Sequence, residues 1–443
     1  MPQSQVFRPL LGEDTSGTNS ALWRQAKSTA STTGRFPKTL HGYVLYALEN
    51  SARLRGSFAA YQATLKKRPQ VTTLADPRLT YGYFLRSVET RVGAQQHRLG
   101  LSQAFPWFGT LALRGDEADF EARAAFSRFL SLKNELVFEV AKTYAELVYL
   151  HATVRIAEDT LQLVQSWEKV LQVRFRSGIG THSDLVRVQT ELGQLEDRLA
   201  EFREVIQPTQ VAFNALLNRP ATAAIHIPPS LLLDPALDAE ARAARQLTEE
   251  TVLTGNPELA RFDALIQARR VGVELAGKTT YPDFTLGLDY IATDKRPGPT
   301  DSGKDALMPT LSMTLPIYWQ KNRAVVEEAV WRQYSLEAQR QDSAAVLASD
   351  FARARFALRD AERKIALFTH TLLPKAEESI EASFTAYESG QAGFLDVLDS
   401  GRRLLDFELS LSRARTDRAI AITKLFMLSG GYSDFLSGEE RGG

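Results

Sequence analysis

Two stretches of the chain recur about 205 to 212 residues downstream, and the recurrence covers both its alternating apolar segments and the long helical segments that follow them. A chain built this way must fold into two copies of one structural unit. Leu54, Ala59, Gln62 and Ala63 correspond to Leu259, Ala264, Gln267 and Ala268, and Pro77, Thr80 and Gly82 correspond to Pro282, Thr285 and Gly287. Further on, Leu101, Ser102 and Pro106 answer to Leu311, Ser312 and Pro316, while Ser177, Gly178, Asp184, Leu192 and Leu199 answer to Ser389, Gly390, Asp396, Leu404 and Leu411. The slip in spacing marks insertions in loops. With 443 residues core size is not limiting, and a repeat over most of that length argues for one pseudo-symmetric architecture.

Residues 1–38 form a polar leader rich in Ser, Thr and Gln, with no apolar core of a secretory signal, so a chain bound for a membrane is expected to have lost a signal peptide or its start. The first repeat spans 39–218. It opens with a helix from Leu40 to about Lys67, in which Val44, Ala47, Leu48 and Leu54 share one face. The period then changes from three or four to two. Leu79, Tyr81, Tyr83 and Leu85 alternate with Thr80, Gly82 and Arg86, and Leu99, Leu101, Gln103 and Phe105 alternate with Gly100, Ser102 and Ala104, which predicts a strand pair over about 77–106. The second repeat, 246–430, also begins with a helix and has its strand pair over about 282–316. There Phe284, Leu286, Leu288 and Tyr290 alternate with Thr285, Gly287 and Asp289, and Leu311, Met313 and Leu315 with Thr310, Ser312 and Thr314. Asp294 to Asp305, with Pro297, Gly298, Pro299 and Gly303, is the longer loop between those strands.

Each strand pair ends at a proline among aromatics, Phe105-Pro106-Trp107-Phe108-Gly109 and Leu315-Pro316-Ile317-Tyr318-Trp319. Proline stops a ladder because it has no N–H to donate. Helical hairpins follow, over about 114–217 and about 320–428. From about Asp116 to Arg176 no helix breaker occurs, and at 1.5 Å per residue that is roughly 90 Å of helix. The counterpart, from about Asn322 to Ser389, is interrupted only by Pro374, where a kink or a junction is expected. Both stop at a glycine turn, Ser177-Gly178-Ile179-Gly180 and Ser389-Gly390-Gln391-Ala392-Gly393, and returning helices run from Asp184 to about Leu217 and from Phe394 to about Leu428. Residues 219–245, with Pro220, Pro228, Pro229 and Pro235, read as an irregular connection, and 431–443 as a tail.

The strand faces carry the functional argument. One is Leu, Tyr, Phe and Met and the other Thr, Ser, Gly and Asp, the lipid-out, water-in alternation of a transmembrane barrel. A soluble sheet packed by one face would alternate similarly, but helices of roughly 90 Å make no ordinary lid for one. A strand in a bilayer must belong to a closed barrel of about eight or more strands, and this chain supplies four. Closure therefore requires several copies, and three would give twelve strands. The fold class expected is an internally duplicated α+β membrane protein: four transmembrane strands per chain completing a trimeric 12-stranded barrel, with long antiparallel helical hairpins. Phe105, Pro106, Trp107, Phe108, Pro316, Tyr318 and Trp319 are the candidates for its membrane-interface corners.

This order of strand pair and helical hairpin, given twice, with Tyr387-Glu388-Ser389-Gly390 running into Phe394-Leu395-Asp396-Val397-Leu398-Asp399, resembles the outer membrane efflux protein family of TolC-like outer membrane factors. The resemblance covers about residues 40 to 430. It implies three protomers forming one channel-tunnel, a barrel across the outer membrane continued by a helical conduit through the periplasm. It also implies a periplasmic adaptor and an inner-membrane pump of the resistance-nodulation-division (RND) or ABC type as partners. The Phe-Pro-Trp-Phe-Gly corner followed by Leu113-Arg114-Gly115 is similar to members that serve heavy-metal RND pumps. Many relatives carry a lipidated N-terminal cysteine, and this chain contains no cysteine.

Asp396 and Asp399 lie three apart on one helix, one turn above the other. The resemblance makes them the cation-attracting constriction of the entrance; the ordinary role for Asp396 is to favour a helix N-terminus by its charge. Asp184 is the counterpart of Asp396, with Arg187 where the second repeat has Asp399, and helix capping by Ser183 or Asp184 is the ordinary role there. In the family an arginine four residues before the first constriction aspartate ties neighbouring coils shut. Here that position is Ala392, while Tyr387 is kept and could reach Asp184. Ser177, Gly178, Ser389 and Gly390 complete the tips at which an adaptor would dock.

Composition narrows the rest. Lys and Arg number 53 and so do Asp and Glu, with no block of like charge, which argues against nucleic acid as a partner. Absence of cysteine excludes disulfides, thiolate metal sites and cysteine nucleophiles. His41, His97, His151, His182, His226 and His370 show no ligand spacing, and Gly178-Ile179-Gly180 lacks the lysine of a phosphate loop. No catalytic constellation, metal or cofactor is expected. The chain is thus expected to be an outer membrane exit duct for small molecules or metal cations. The alternatives are a duct for type I protein secretion and a periplasmic coiled-coil adaptor or scaffold that forms no pore.

Overall fold

The structure, a computed structural model, describes residues 39–227, 235–298 and 300–431. The leader over 1–38, the connection residues 228–234 with Pro228 and Pro229, Pro299 and the tail from 432 lie outside the described residues. In chain order the first repeat gives α1 (Leu40–Asn50), α2 (Ala52–Leu65), α3 (Lys67–Thr72), β1 (Arg78–Thr90), β2 (Gly93–Phe105), α4 (Thr110–Arg176) and α5 (His182–Leu216). Then come α6 (Pro235–Gln246), α7 (Glu249–Gly255), α8 (Pro257–Lys278), β3 (Phe284–Thr293), β4 (Ala306–Met313) and α9 (Trp319–Leu367). One π-helical turn (Phe368–Leu372), α10 (Leu373–Glu388) and α11 (Phe394–Ser429) complete the chain.

Local chemistry explains where the structure departs from the sequence expectations. The helix expected from Leu40 to about Lys67 is broken at Ser51, whose backbone is extended (φ −64°, ψ 116°). Ser51 Oγ accepts the Leu54 N–H at 3.2 Å and so starts a new helix. The second repeat breaks at the matching place, Asn256, which precedes Pro257 and is therefore held out of helical geometry (φ −72°, ψ 122°). α4 begins at Thr110, several residues before the expected start near 114 to 116. The left-handed Gly109 (φ 82°) turns the chain at the corner, and its carbonyl accepts the Leu113 N–H at 3.0 Å. The irregular connection expected over 219–245 is corrected too, because Pro235–Gln246 is helical. Proline is tolerated in a first helical turn, where its missing N–H would have no partner anyway. At Pro374 the expected interruption takes the form of a junction, a π-helical turn followed by a new helix with Pro374 in its first turn.

The described chain divides into two compact units. One holds 55–130 and 257–345 and contains the sheet. Its four strands are antiparallel in the order β1-β2-β3-β4, leaving β1 and β4 as open edges. Register carries the alternation across the whole sheet: Leu79 lies opposite Leu101, Leu101 opposite Leu288 and Leu288 opposite Pro309, while Tyr81, Leu99, Tyr290 and Leu307 form a parallel apolar row. These rows belong to no core; Leu79 is 68%, Tyr81 64% and Leu307 65% exposed in the single chain. On the other face Thr80, Gly100 and Asp289 are in register, as are Ser102, Gly287 and Thr310. Beside the sheet, Phe58 meets Phe129 edge-on (5.6 Å between ring centres) and Tyr61 packs on Phe126.

The other unit, which runs to Leu54 and takes in 131–256 and the chain from Val346, is helical. α4, α5, α10 and α11 share a core of Val164, Trp167, Leu171, Val188, Leu195, Phe394, Val397 and Leu405. Tyr43, Tyr144 and Phe213 form a second cluster, with ring centres 5.2 to 5.8 Å apart. α6 is tied down by charge: Arg245 meets Glu362 at 2.6 Å, and Arg418 pairs with Asp238.

Candidate functional site at the hairpin tips and the strand corners

Both tips turn through one left-handed glycine, Gly178 (φ 76°) and Gly390 (φ 77°). The first follows the Schellman pattern, in which the Arg174 carbonyl accepts the Ile179 N–H at 3.0 Å and the Gly180 N–H at 3.1 Å. The returning helices are capped differently. At α5 the cap is Thr181, not Ser183 or Asp184: Thr181 Oγ1 accepts the Asp184 N–H at 3.2 Å and donates to Asp184 Oδ2 at 2.7 Å. At α11 the cap is Gly393, which has no side chain to offer. Asp396 supplies the other half of the arrangement, its Oδ2 accepting the Gly393 N–H at 3.2 Å.

Asp396 is exposed, and no cationic side chain lies within ion-pair distance of it among the described residues. Asp399, half-buried, meets Arg402 Nη1 at 3.5 Å. Arg402 is committed elsewhere: its Nε donates to Glu191 Oε2 at 2.9 Å and its Nη2 to the same oxygen. Glu191, on α5, has an 8%-exposed side chain, so this pair pins the returning helix of one hairpin to that of the other. Hydrogen bonding to Glu191 holds the Arg402 guanidinium above its usual range, against the opposing effect of burial.

Tyr387 packs its ring edge-on to Phe394 (5.3 Å) and under the Arg174 guanidinium (4.8 Å to the ring centre). Arg174 Nη1 also donates to the Glu388 carbonyl at 3.2 Å, so one side chain at the end of α4 clasps the end of α10. Burial pushes the Tyr387 hydroxyl up; Arg174 opposes this, and Asp184 adds to it. Asp184 thus acts on Tyr387 through its charge, and the group that touches Tyr387 is Arg174. Neither Arg174 nor Glu191 was singled out in the sequence, and the only local signal for Arg174 is its place in the last turn of α4, where a cation favours the helix end.

At the strand corners, Trp107 stacks on Tyr281 (4.9 Å, 17°) and on Phe284 (5.8 Å), and its N–H donates to Asp283 Oδ1 at 2.9 Å. Phe108, Tyr318 and Trp319 project into solvent in the single chain. Phe105 closes the ladder opposite Phe284, and Pro106 and Pro316 stand just beyond the strand ends. No described helix is long and apolar enough to cross a membrane, and no group of three or more metal-ligating side chains comes together among the described residues.

Residues 249–431 match the family described as "Outer membrane efflux protein". Over those residues the chain is similar to that family. It is similar to "Outer membrane protein TolC" of Vibrio cholerae, 23% identical, over 72% of this chain and 73% of that protein. It is also similar to "Cobalt-zinc-cadmium resistance protein CzcC" of Cupriavidus metallidurans, 21% identical, over 67% and 68%. Among solved structures, the outer-membrane channel OprN superimposes with a TM-score of 0.72 at 17% identity, covering 90% of this chain and 93% of that one. The four strands and long helical hairpins form the TolC-like fold.

Proposed function

We propose that three copies of this efflux protein close one twelve-stranded barrel and act as the passive exit duct of a tripartite system. The observation that carries the proposal is the sheet, with both edges open and a continuous apolar row on one face. Edge strands cannot stay unpaired in a bilayer, and each β4 edge can be met by the β1 edge of the next copy. The tips around Ser177, Gly178, Ser389 and Gly390 meet the helical ends of a periplasmic adaptor, which couples the duct to an inner-membrane pump of the RND or ABC type. Asp396 and Asp399 form two carboxylate rings at the entrance. Arg174, clasping Tyr387 and Glu388, stands in for the cation that Ala392 does not supply. The cargo is small molecules or metal cations, in keeping with a relative named for cobalt-zinc-cadmium resistance. Extraction tests the assembly: the protein should leave membranes only with detergent and show the mass of a trimer in it. A folded monomer recovered without detergent would overturn the proposal.

A further inference from the structure

Where the two repeats join, β2 and β3 share a charge pair on the polar face of the sheet. Arg98 Nε donates to Asp289 Oδ1 at 3.0 Å and Nη2 to Oδ2 at 2.9 Å, so the guanidinium engages both carboxylate oxygens. Gly100 makes the room. It lies opposite Asp289 in register, and a Cβ there would stand 2.4 Å from Asp289 Oδ1. The two partners are unequally covered, the Asp289 side chain being 10% exposed and that of Arg98 49%. A solute moving over this face therefore meets guanidinium first. Thr80, Ser102, Gly287 and Thr310 around the pair carry no charge. Nor does the duplication repeat it. The repeat spacing sets Asp289 against Phe84 and Arg98 against Met308, so the junction between β4 of one copy and β1 of the next would have no equivalent.

We infer that Arg98 is a selectivity-determining residue of the channel, placing a band of guanidinium groups on the barrel wall that favours carboxylate- or phosphate-bearing solutes and masks Asp289. This rests on the proposal that copies close a barrel with the polar face inward.

The test is planar-bilayer recording in a potassium chloride gradient, with inorganic phosphate as the anionic probe, on the parent, Arg98→Gln, Asp289→Asn, Arg98→Lys and the double variant Arg98→Gln/Asp289→Asn. Arg98→Gln bares a carboxylate and should raise the potassium-to-chloride permeability ratio about threefold, and Asp289→Asn should lower it by a similar factor, for a lumen potential changed by about half of RT per unit charge, which acts oppositely on the two ions. Phosphate should slow the current through the parent and Arg98→Lys but not through Arg98→Gln. Should the single changes prevent folding, the double variant decides, because it leaves no unpaired buried charge. It should keep the parent's permeability ratio and lose the phosphate effect. Parent-like selectivity and phosphate response in every variant that forms channels would overturn the inference alone. A parent that forms no channels would overturn the barrel proposal and this inference with it.

Discussion

Asp396 offers two separable contributions, a helix cap and an uncompensated charge, and substitutions can divide them. Asp396→Asn keeps an oxygen for the Gly393 N–H and removes the charge, whereas Asp396→Ala removes both. A lost cap costs about 1 kcal/mol per copy, in the range of 0.5–2, so Asp396→Ala should lower thermal stability and Asp396→Asn should barely change it. Charge follows a different order. Glu191, Arg402 and Asp399 together carry one negative charge, since Arg402 serves both carboxylates, while Asp396 has no cationic partner. Neutralising either carboxylate removes one charge from its ring, so each change should alter the cation-to-anion permeability ratio roughly threefold. Replacing both with Ala should also raise single-channel conductance and abolish block by multivalent cations, with the assembly intact. Bilayer recording under a salt gradient, paired with thermal unfolding in detergent, reads both contributions. If Asp396→Asn and the double Ala variant keep the parent's reversal potential and conductance, while Asp396→Ala loses stability, these aspartates are helix-end residues and no constriction.

Three further outcomes follow from the geometry. Gly178→Val and Gly390→Val should each cost about 1–2 kcal/mol or more in thermal unfolding, because a Cβ at either site meets open space and the penalty is the left-handed backbone itself; Asn at the same places should cost less. Gly401→Ala should destabilise by up to about 2 kcal/mol, since its Cβ would stand 2.7 Å from Trp167 Cη2 and overpacking outweighs the helix gain, whereas Gly193→Ala, in open space on α5, should stabilise by up to about 1 kcal/mol. Burial first, then Asp159 and Glu377, push the Glu408 carboxyl up. The folded state thus holds that proton more tightly than the unfolded state, and the stability it contributes below about pH 4 is lost as pH rises through the folded value. Glu408→Gln should accordingly stabilise the protein near neutrality and not at low pH, as read by unfolding midpoints across that range.

Much of this architecture is written in near neighbours along the chain. The period-two alternation at Leu79, Tyr81 and Tyr83 specifies a strand with two unlike faces, and an unbroken three-to-four spacing from Leu136 to Phe175 specifies a long helix, because each depends only on where successive side chains point. Gly178 and Gly390 mark the turns for an equally local reason, the backbone that glycine alone adopts without cost. The duplication, with four strands too few to close, carries the inference to a membrane channel without any tertiary contact.

Tertiary structure decided the charge partners. Arg98 with Asp289, Arg402 with Glu191 and Arg174 with Tyr387 join residues from separate strands or hairpins, and neither propensity nor repeat spacing says which guanidinium will face which carboxylate or ring. The break at Ser51 is equally opaque, since Ala, Leu and Arg flank it on a helix-favouring stretch and only the bond from the Leu54 N–H reveals it. Helix and strand periods follow from the geometry of one chain segment, while these ion pairs depend on which segments the fold brings within about 3 Å of one another.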